Sequence, residues 1–324
     1  LHLDTDFKGK KVLVVGAGIS GFAAAKVLRR LGAKVTLSDA KDEAAIKEDV
    51  SELRELGIEL IFGAQEAALL DSCDLLVLSP AVPVAIPLAE EAKRRGIRIT
   101  SEVELAATLA KSPIFAVTGT NGKTTTTTLL GLLLAEKFGK EKTRVGGNIG
   151  YPLSEAVLGA VEGGAVAAEI SSYQMEATEH FRPKVAAVLN VTPDHIKRHG
   201  SMEVYQAMKE RLFREMAKGD WLVLNYDDEG TRSMKERAAC PVFFFSRREV
   251  LEEGALLLGD KLVLRQGGEE IALVTTAELG IKGAHNVENA LAAVAMAFLA
   301  GVTPAEMRPV LRAFKSVEHR IEFV

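Results

Sequence analysis

Ile114-Phe115-Ala116-Val117-Thr118-Gly119-Thr120-Asn121-Gly122-Lys123-Thr124-Thr125 joins an apolar run to a glycine turn and then to a threonine- and leucine-rich stretch. The run Ile114 to Val117 predicts a buried strand, and the stretch after Lys123 predicts a helix. A strand feeding a glycine turn and a helix aims backbone N–H groups and the positive helix end at one spot, which suits phosphate. Lys123 adds an ammonium for β- and γ-phosphates, and Thr124 adds a hydroxyl for Mg²⁺. Only Thr120 and Asn121 separate the two glycines; the common Walker A turn has four residues there, so this loop is shorter.

Upstream, Lys11 opens a second strand–turn–helix unit: strand Val12 to Val15, turn Gly16-Ala17-Gly18-Ile19-Ser20-Gly21, helix Phe22 to Leu31, and strand Val35 to Ser38 ending at Asp39. The turn suits a diphosphate, and Asp39 stands where dinucleotide folds set an acid against a ribose hydroxyl. Three readings stay open there: NAD, another nucleotide diphosphate, or glycines that serve helix–sheet packing alone. The pattern continues with a helix from Glu43 to Leu56, strands Glu59 to Phe62 and Leu75 to Leu78, a helix Pro87 to Arg95, a strand Ile97 to Thr100 and a helix Glu102 to Ala110. Such alternation predicts a parallel sheet covered on both faces.

At 324 residues the chain is long for a single core, so two α/β domains are expected: a Rossmann-like parallel-sheet domain over residues 1–101, then a P-loop-type ATPase domain over 102–316. Residues 317–324 read as the start of a linker. A formal net charge of -4 disfavours general attraction to nucleic acid or an anionic membrane. Cys73 and Cys240 lack metal-ligand spacing and read as reduced structural thiols. The longest apolar run, Ala290 to Val302, is too short to span a bilayer, so a cytoplasmic protein is expected.

Beyond the phosphate turn, strand Ala165 to Ile170 carries Glu169 among apolar neighbours, then Ser171, Ser172, Tyr173 and Gln174. An acid there needs a partner, either Mg²⁺ beside the phosphates or a structural cation. Strand Ala186 to Val191 leads into Asn190 to His199, which the sheet edge would present to ligand; His195 is the candidate, against a plain packing role. Lys209, on helix Met202 to Ala217, cannot bind metal as an ammonium and reads from its charge as a surface residue. Further strands are expected at Trp221 to Asn225 and Val242 to Phe245, with a hairpin from Ala255 to Val274. In the last helix, His285 to Ala300, Asn286 and Asn289 either cap the first turn or offer amides to a base.

Taken in order, Gly119 to Thr124, Glu169 with Ser-Ser-Tyr-Gln, Asn190 to His199, and His285-Asn286 with Asn289 resemble the Mur ligase family of peptidoglycan synthesis. Ser79-Pro80-Ala81-Val82-Pro83, Ser101-Glu102-Val103-Glu104-Leu105 and Glu169-Ile170-Ser171-Ser172-Tyr173-Gln174 bring the likeness closest to members that add D-glutamate to UDP-N-acetylmuramoyl-L-alanine, and Val145 to Gly150 also fits. Lys197, where an acid is common, and Ala81, where glycine is usual, depart from the pattern.

The resemblance implies an ATP-dependent, monomeric, amide-forming ligase. ATP would meet Gly119 to Thr125, Asn286, Asn289 and Arg320. The UDP-sugar would meet Ile19, Ser20, Asp39, Ser79, Asn148, Ser171, Gln174 and His195, with no nicotinamide. Two Mg²⁺ ions would be held by Thr124, Glu169, His195 and Lys209, the last carrying a carbamate that turns a cation into an anion. Lys123, Glu169, His195 and Lys209 form the implied catalytic set. The family has a further domain after His319-Arg320, so the resemblance implies that these residues alone bind the UDP-sugar, bind ATP weakly, and turn over little.

Overall fold

The computed structural model describes residues 5–193 and 200–315, and it divides into two compact units. The first holds residues up to Ala110 together with Pro152–Leu158 and Tyr173–Phe181; the second holds Lys111–Tyr151, Gly159–Ser172 and the chain from Arg182 onward.

The first unit is built on five parallel strands: β1 (Lys11–Val15), β2 (Lys34–Asp39), β3 (Glu59–Phe62), β4 (Leu75–Leu78) and β5 (Arg98–Ser101), in the order β3-β2-β1-β4-β5. Alternating side chains of β1 feed two cores. Val12 and Val14 pack with α1 (Ile19–Arg30) through Ala24, Ala25 and Leu28. Leu13 and Val15 pack with Leu76, Leu78 and Leu88 on the opposite face. The sequential order reverses on either side of β1, and the carboxyl end of such a switch point is where open α/β sheets hold ligands.

One expected helix is broken. Between Glu43 and Leu56 only the short turn Glu43–Ala45 and helix α2 (Ser51–Glu55) form. Asp49 Oδ1 accepts both the N–H and the Oγ–H of Ser51, at 2.9 and 2.6 Å. That local bond starts a fresh helix rather than continuing one, as Asp and Ser side chains do when they compete with the helical ladder. Helices α3 (Pro87–Arg94) and α4 (Glu102–Leu109) follow.

The second unit centres on nine strands. These are β6 (Ile114–Thr118), β7 (Thr143–Gly147), β8 (Ala165–Glu169), β9 (Val185–Val188), β10 (Trp221–Asn225), β11 (Val242–Ser246), β12 (Gly254–Leu258), β13 (Lys261–Gln266) and β14 (Glu269–Thr275). Their order is β14-β13-β12-β11-β10-β9-β6-β8-β7, parallel from β7 to β12 and antiparallel across β12, β13 and β14. The expected single hairpin is therefore a three-stranded meander. Its second turn is Gly267-Gly268, both at positive φ.

Helix α5 (Lys123–Phe138) lays Leu129, Leu130, Leu133 and Leu134, all fully buried, against β6 and β8. Each such leucine contributes about 1.5–3 kcal/mol of burial. Helix Ala284–Leu299 is buried on nearly every side from Ala290 to Ala297, and its small alanines let it pack closely on α5. Helix α6 (Leu153–Gly159) and the short helix α7 (Ser172–Met175) flank β8 in sequence.

Candidate nucleotide site

Strand β6 lies between β8 and β9, so the turn after it opens at the reversal of strand order in the second sheet. Gly119 and Gly122 both adopt positive φ, and Gly122 caps α5 in the left-handed region at φ 84°. A side chain at Gly122 would also collide with Asn289, whose Oδ1 would lie 2.1 Å from an added Cβ. Glycine is required there on both counts.

The turn is held by a side chain seventy residues away. Asn190 Oδ1 accepts the N–H groups of Thr120 and Asn121 at 2.9 and 2.8 Å, and its Nδ2 donates to Asn121 O at 3.0 Å. Thr120 Oγ1 adds a bond to Thr192 O at 3.2 Å and lies 3.2 Å from the Tyr205 hydroxyl. Asn190 and Tyr205 were not singled out in the sequence. Asn190 heads a segment that was, directly after a buried strand; Tyr205 carries no signal beyond helical spacing.

Lys123 Nζ donates to Gly119 O at 3.0 Å and Thr120 O at 2.9 Å, so the ammonium folds over the turn's own carbonyls. Thr124 Oγ1 donates to Glu169 Oε2 at 2.9 Å, and Asn148 Nδ2 donates to Glu169 Oε1 at 2.8 Å. The Asn148 N–H also bonds Glu169 O at 2.9 Å. Glu169 is 2% exposed, and these two side chains meet the burial demand of its carboxylate. The structure thus brings Lys123, Thr124, Asn148 and Glu169 together at the head of α5.

Among the described residues no group of three His, Cys, Asp or Glu side chains could hold a metal. One carboxylate beside one hydroxyl at a phosphate turn still fits Mg²⁺, which keeps water and phosphate oxygens for most of its octahedron. Thr124 and Glu169 supply that hard-oxygen pair.

Lys209 corrects the reading from charge. It is 2% exposed on helix Met202–Glu210, not a surface residue, and its Nζ sits 4.3 Å from the ring centroid of Tyr205. Tyr205 is itself buried and touches Thr120, so Lys209 is linked to the phosphate turn through one ring. Asn289 is buried against Gly122 and donates to Asn286 Oδ1 at 3.3 Å, while Asn286 Nδ2 donates to Lys282 O at 2.9 Å. The pair braces the turn and does not cap its helix by side chain. Thr125 follows Thr124 in the first turn of α5. His195 and Arg320 lie outside the described residues.

In the first unit, Asp39 Oδ2 accepts the Ala17 N–H at 2.8 Å and Oδ1 the Lys41 N–H at 2.9 Å. Its carboxylate therefore shapes the glycine turn from within. An added Cβ at Gly16 would meet Ser79 and Val82 at 2.7 Å, and one at Gly21 would meet Gly16 O at 1.9 Å. Those two glycines serve packing. A Cβ at Gly18 would meet nothing within 4 Å, which leaves the turn open to a ligand where packing does not ask for glycine. Ile19 beside it is 64% exposed, a large apolar side chain facing solvent at the turn, and Ser79 is buried behind it. Gln174 is buried and Ser171 half-buried on the segment following β8.

Comparison with known proteins gives the family. Residues 117–297 match the Mur ligase middle domain, and residues 10–101 match the Mur ligase MurD-like N-terminal domain. The chain is 45% identical to UDP-N-acetylmuramoylalanine-D-glutamate ligase of Thermoanaerobacter pseudethanolicus, over 98% of this chain and 70% of that protein. It is 46% identical to the enzyme of that name from Pelotomaculum thermopropionicum, with the same coverage. Among solved structures, UDP-N-acetylmuramate:L-alanyl-gamma-D-glutamyl-meso-diaminopimelate ligase from Neisseria meningitides matches with a TM-score of 0.63 at 20% identity, covering 96% of this chain and 100% of that one. UDP-N-acetylmuramate-alanine ligase from Thermotoga maritima matches at 0.56 and 24%, covering 94% and 68%. At those identities the structures establish the fold; the domain matches and the relatives above 40% identity establish that the chain belongs to the Mur ligase family.

Proposed function

We propose that this chain carries the nucleotide-handling machinery of an ATP-dependent ligase that joins D-glutamate to UDP-N-acetylmuramoyl-L-alanine in peptidoglycan precursor synthesis. The observation that carries the reading is the Thr124–Glu169 hydrogen bond, which puts a hydroxyl and a carboxylate side by side at the end of a Gly-Lys-Thr turn. The relatives of that name supply the choice of substrates.

In this reading the turn Gly119 to Thr125 holds the triphosphate through backbone N–H groups, and Lys123 swings from its own turn carbonyls to the β- and γ-phosphates. Asn286 and Asn289 flank the adenine, and Arg320 reaches the nucleotide. Thr124 and Glu169 hold one Mg²⁺; His195 and Lys209, the latter as a carbamate, support a second. Bound there, the ions offset repulsion between the carboxylate and the phosphates as they approach. Ile19, Ser20, Asp39 and Ser79 take the UDP end of the substrate, and Asn148, Ser171, Gln174 and His195 the remainder.

The alanine carboxylate of the substrate attacks the γ-phosphorus of ATP, releasing ADP and leaving an acyl phosphate. The amine of D-glutamate then attacks the acyl carbon, loses a proton, and phosphate departs as the amide forms. Lys123 follows the charge that develops on the transferring phosphoryl group, an electrostatic role that water cannot fill once the turn is closed around the nucleotide. The protein is read as a cytoplasmic monomer; no helix among the described residues is long and apolar enough to cross a membrane.

The test is ATP-dependent phosphate release by these residues joined to the further domain that the family carries, in the presence of UDP-N-acetylmuramoyl-L-alanine, with D-glutamate, L-alanine and a diamino acid offered in turn; the residues alone are expected to release little. Release with D-glutamate alone is expected, and loss of at least about a hundred-fold in Lys123→Ala. Release that follows a different amino acid refutes the proposed acceptor.

A further inference from the structure

Helix α4 opens with two acids that the helix does not use. Ser101 caps it, its Oγ accepting the Glu104 N–H at 3.2 Å. Ser-x-x-Glu is the signature of a capping box, in which the acid turns back to the N–H of the cap residue. Glu104 is turned elsewhere. Its Oε2 accepts the Glu179 N–H at 3.0 Å and its Oε1 the His180 N–H at 2.9 Å, so one carboxylate grips two consecutive amides. Glu102 Oε1 accepts the Ser154 N–H, in the first turn of α6, at 2.6 Å. Neither acid is more than 2% exposed.

The two targets share one property. They lie in Pro152–Leu158 and Tyr173–Phe181, the two segments that pack with the first unit although the chain on either side of 152–158 and after 181 belongs to the second. Each inserted segment is therefore held by one buried carboxylate of the same helix. Backbone amides bound to a carboxylate make hydrogen bonds about twice as strong as neutral ones, and leaving either side unpartnered in a buried place is costly. Gln174 lies five residues ahead of Glu179 on the second segment and is itself buried.

We propose that Glu102 and Glu104 are positioning residues, which staple the two inserted segments into the first unit and so fix the backbone from which Gln174 meets the UDP-sugar. The proposal rests on the substrate reading given above. Removing the Glu104 staple frees residues 173–181 and weakens the UDP-sugar, while the phosphate turn of the second unit keeps all its own bonds.

Calorimetric titration of the chain with UDP-N-acetylmuramoyl-L-alanine and separately with ATP tests it, on the parent, Glu104→Ala, Glu104→Gln and Glu102→Ala, alongside amide hydrogen exchange. Glu104→Gln keeps one acceptor and sets an amide N–H₂ against the second N–H, so it is expected to fall between parent and alanine variant. Glu104→Ala is expected to lose about ten-fold in UDP-sugar affinity, as one charged hydrogen bond implies, with ATP affinity within about two-fold. Exchange in 173–181 rises in the Glu104 variants and in 152–158 in Glu102→Ala. Parent-like UDP-sugar binding in Glu104→Ala overturns the staple, as does equal weakening of both ligands, which marks general loss of structure. A parent that binds ATP but no UDP-sugar overturns the substrate reading itself, and the proposal with it.

Discussion

Glu102→Gln should make this protein more stable at alkaline pH and leave it nearly unchanged in mild acid. Glu102 is fully buried, and its Oε2 has no hydrogen-bond partner among the described residues, nor has the neighbouring Ser154 Oγ. Burial, the largest influence, pushes the carboxyl from 4.5 up to about 7; the bond from the Ser154 N–H pulls it down and the charge of Glu155 pushes it up again. Lys26, 3.1 Å from Glu155, is engaged there.

Because the folded value lies above the unfolded one, the folded state holds its proton more tightly. Stability from this group is complete below about 4.5 and is lost as pH rises through about 7. At about 1.4 kcal/mol per pH unit, the loss amounts to about 3 kcal/mol. Glutamine keeps the acceptor for Ser154 N–H and carries no charge to bury. Scanning calorimetry of parent and variant from pH 4.5 to 8.5 reads the difference, and comparison at each pH cancels the other titrating groups. The variant should gain about 10 °C in melting temperature at pH 8.5, at about 3–4 °C per kcal/mol for a unit of this size, and almost nothing at pH 4.5. A difference that stays constant with pH, or a variant that is weaker at pH 8.5, refutes the assignment of a buried, proton-binding Glu102.

Two other outcomes follow from single contacts. Gly122→Ala forces a left-handed residue, at about 1–2 kcal/mol, and a clash with Asn289 Oδ1; ATP binding by titration should fall by more than about ten-fold while UDP-sugar binding holds. Thr303→Ala breaks the capping box with Glu306 at the start of helix Pro304–Ala313, and denaturant unfolding should show a loss of about 1 kcal/mol with no change in nucleotide affinity.

The parts of this fold that are legible in the sequence are those whose cause is local. Strand, glycine turn and helix at Ile114 to Phe138 are fixed by neighbours within a few residues, and β6 and α5 lie where that reading puts them. The same holds for β1, α1 and β2 around Gly16 to Gly21. The long helix expected from Glu43 failed because Asp49 offered Ser51 a competing bond that hydrophobic spacing does not register. Lys209 failed for a different reason: charge argues for the surface only where no interior partner exists, and the Tyr205 ring beneath it is four residues away on the same helix, a neighbour that helical spacing could have supplied.

The acids mark where sequence reasoning can be carried further. Glu169 stands out because a carboxylate among apolar neighbours must find a partner, and its partners are Thr124 and Asn148 at the glycine turn. Glu102 and Glu104 stand in the same situation, flanked by Val103, Leu105 and Ala106 at the head of a helix whose cap bond is already made by Ser101. The capping-box pattern hides this, because it offers Glu104 a local partner on paper. A second acid two residues earlier is the discriminating sign: a box uses one carboxylate, and in an apolar helix start the other has to bind something distant. Here the distant partners are backbone N–H groups, which carry no side-chain signature at all. Where such acids can be found but their partners cannot, the useful inference from sequence is that two far segments meet at that helix, with the identity of the segments left to the fold.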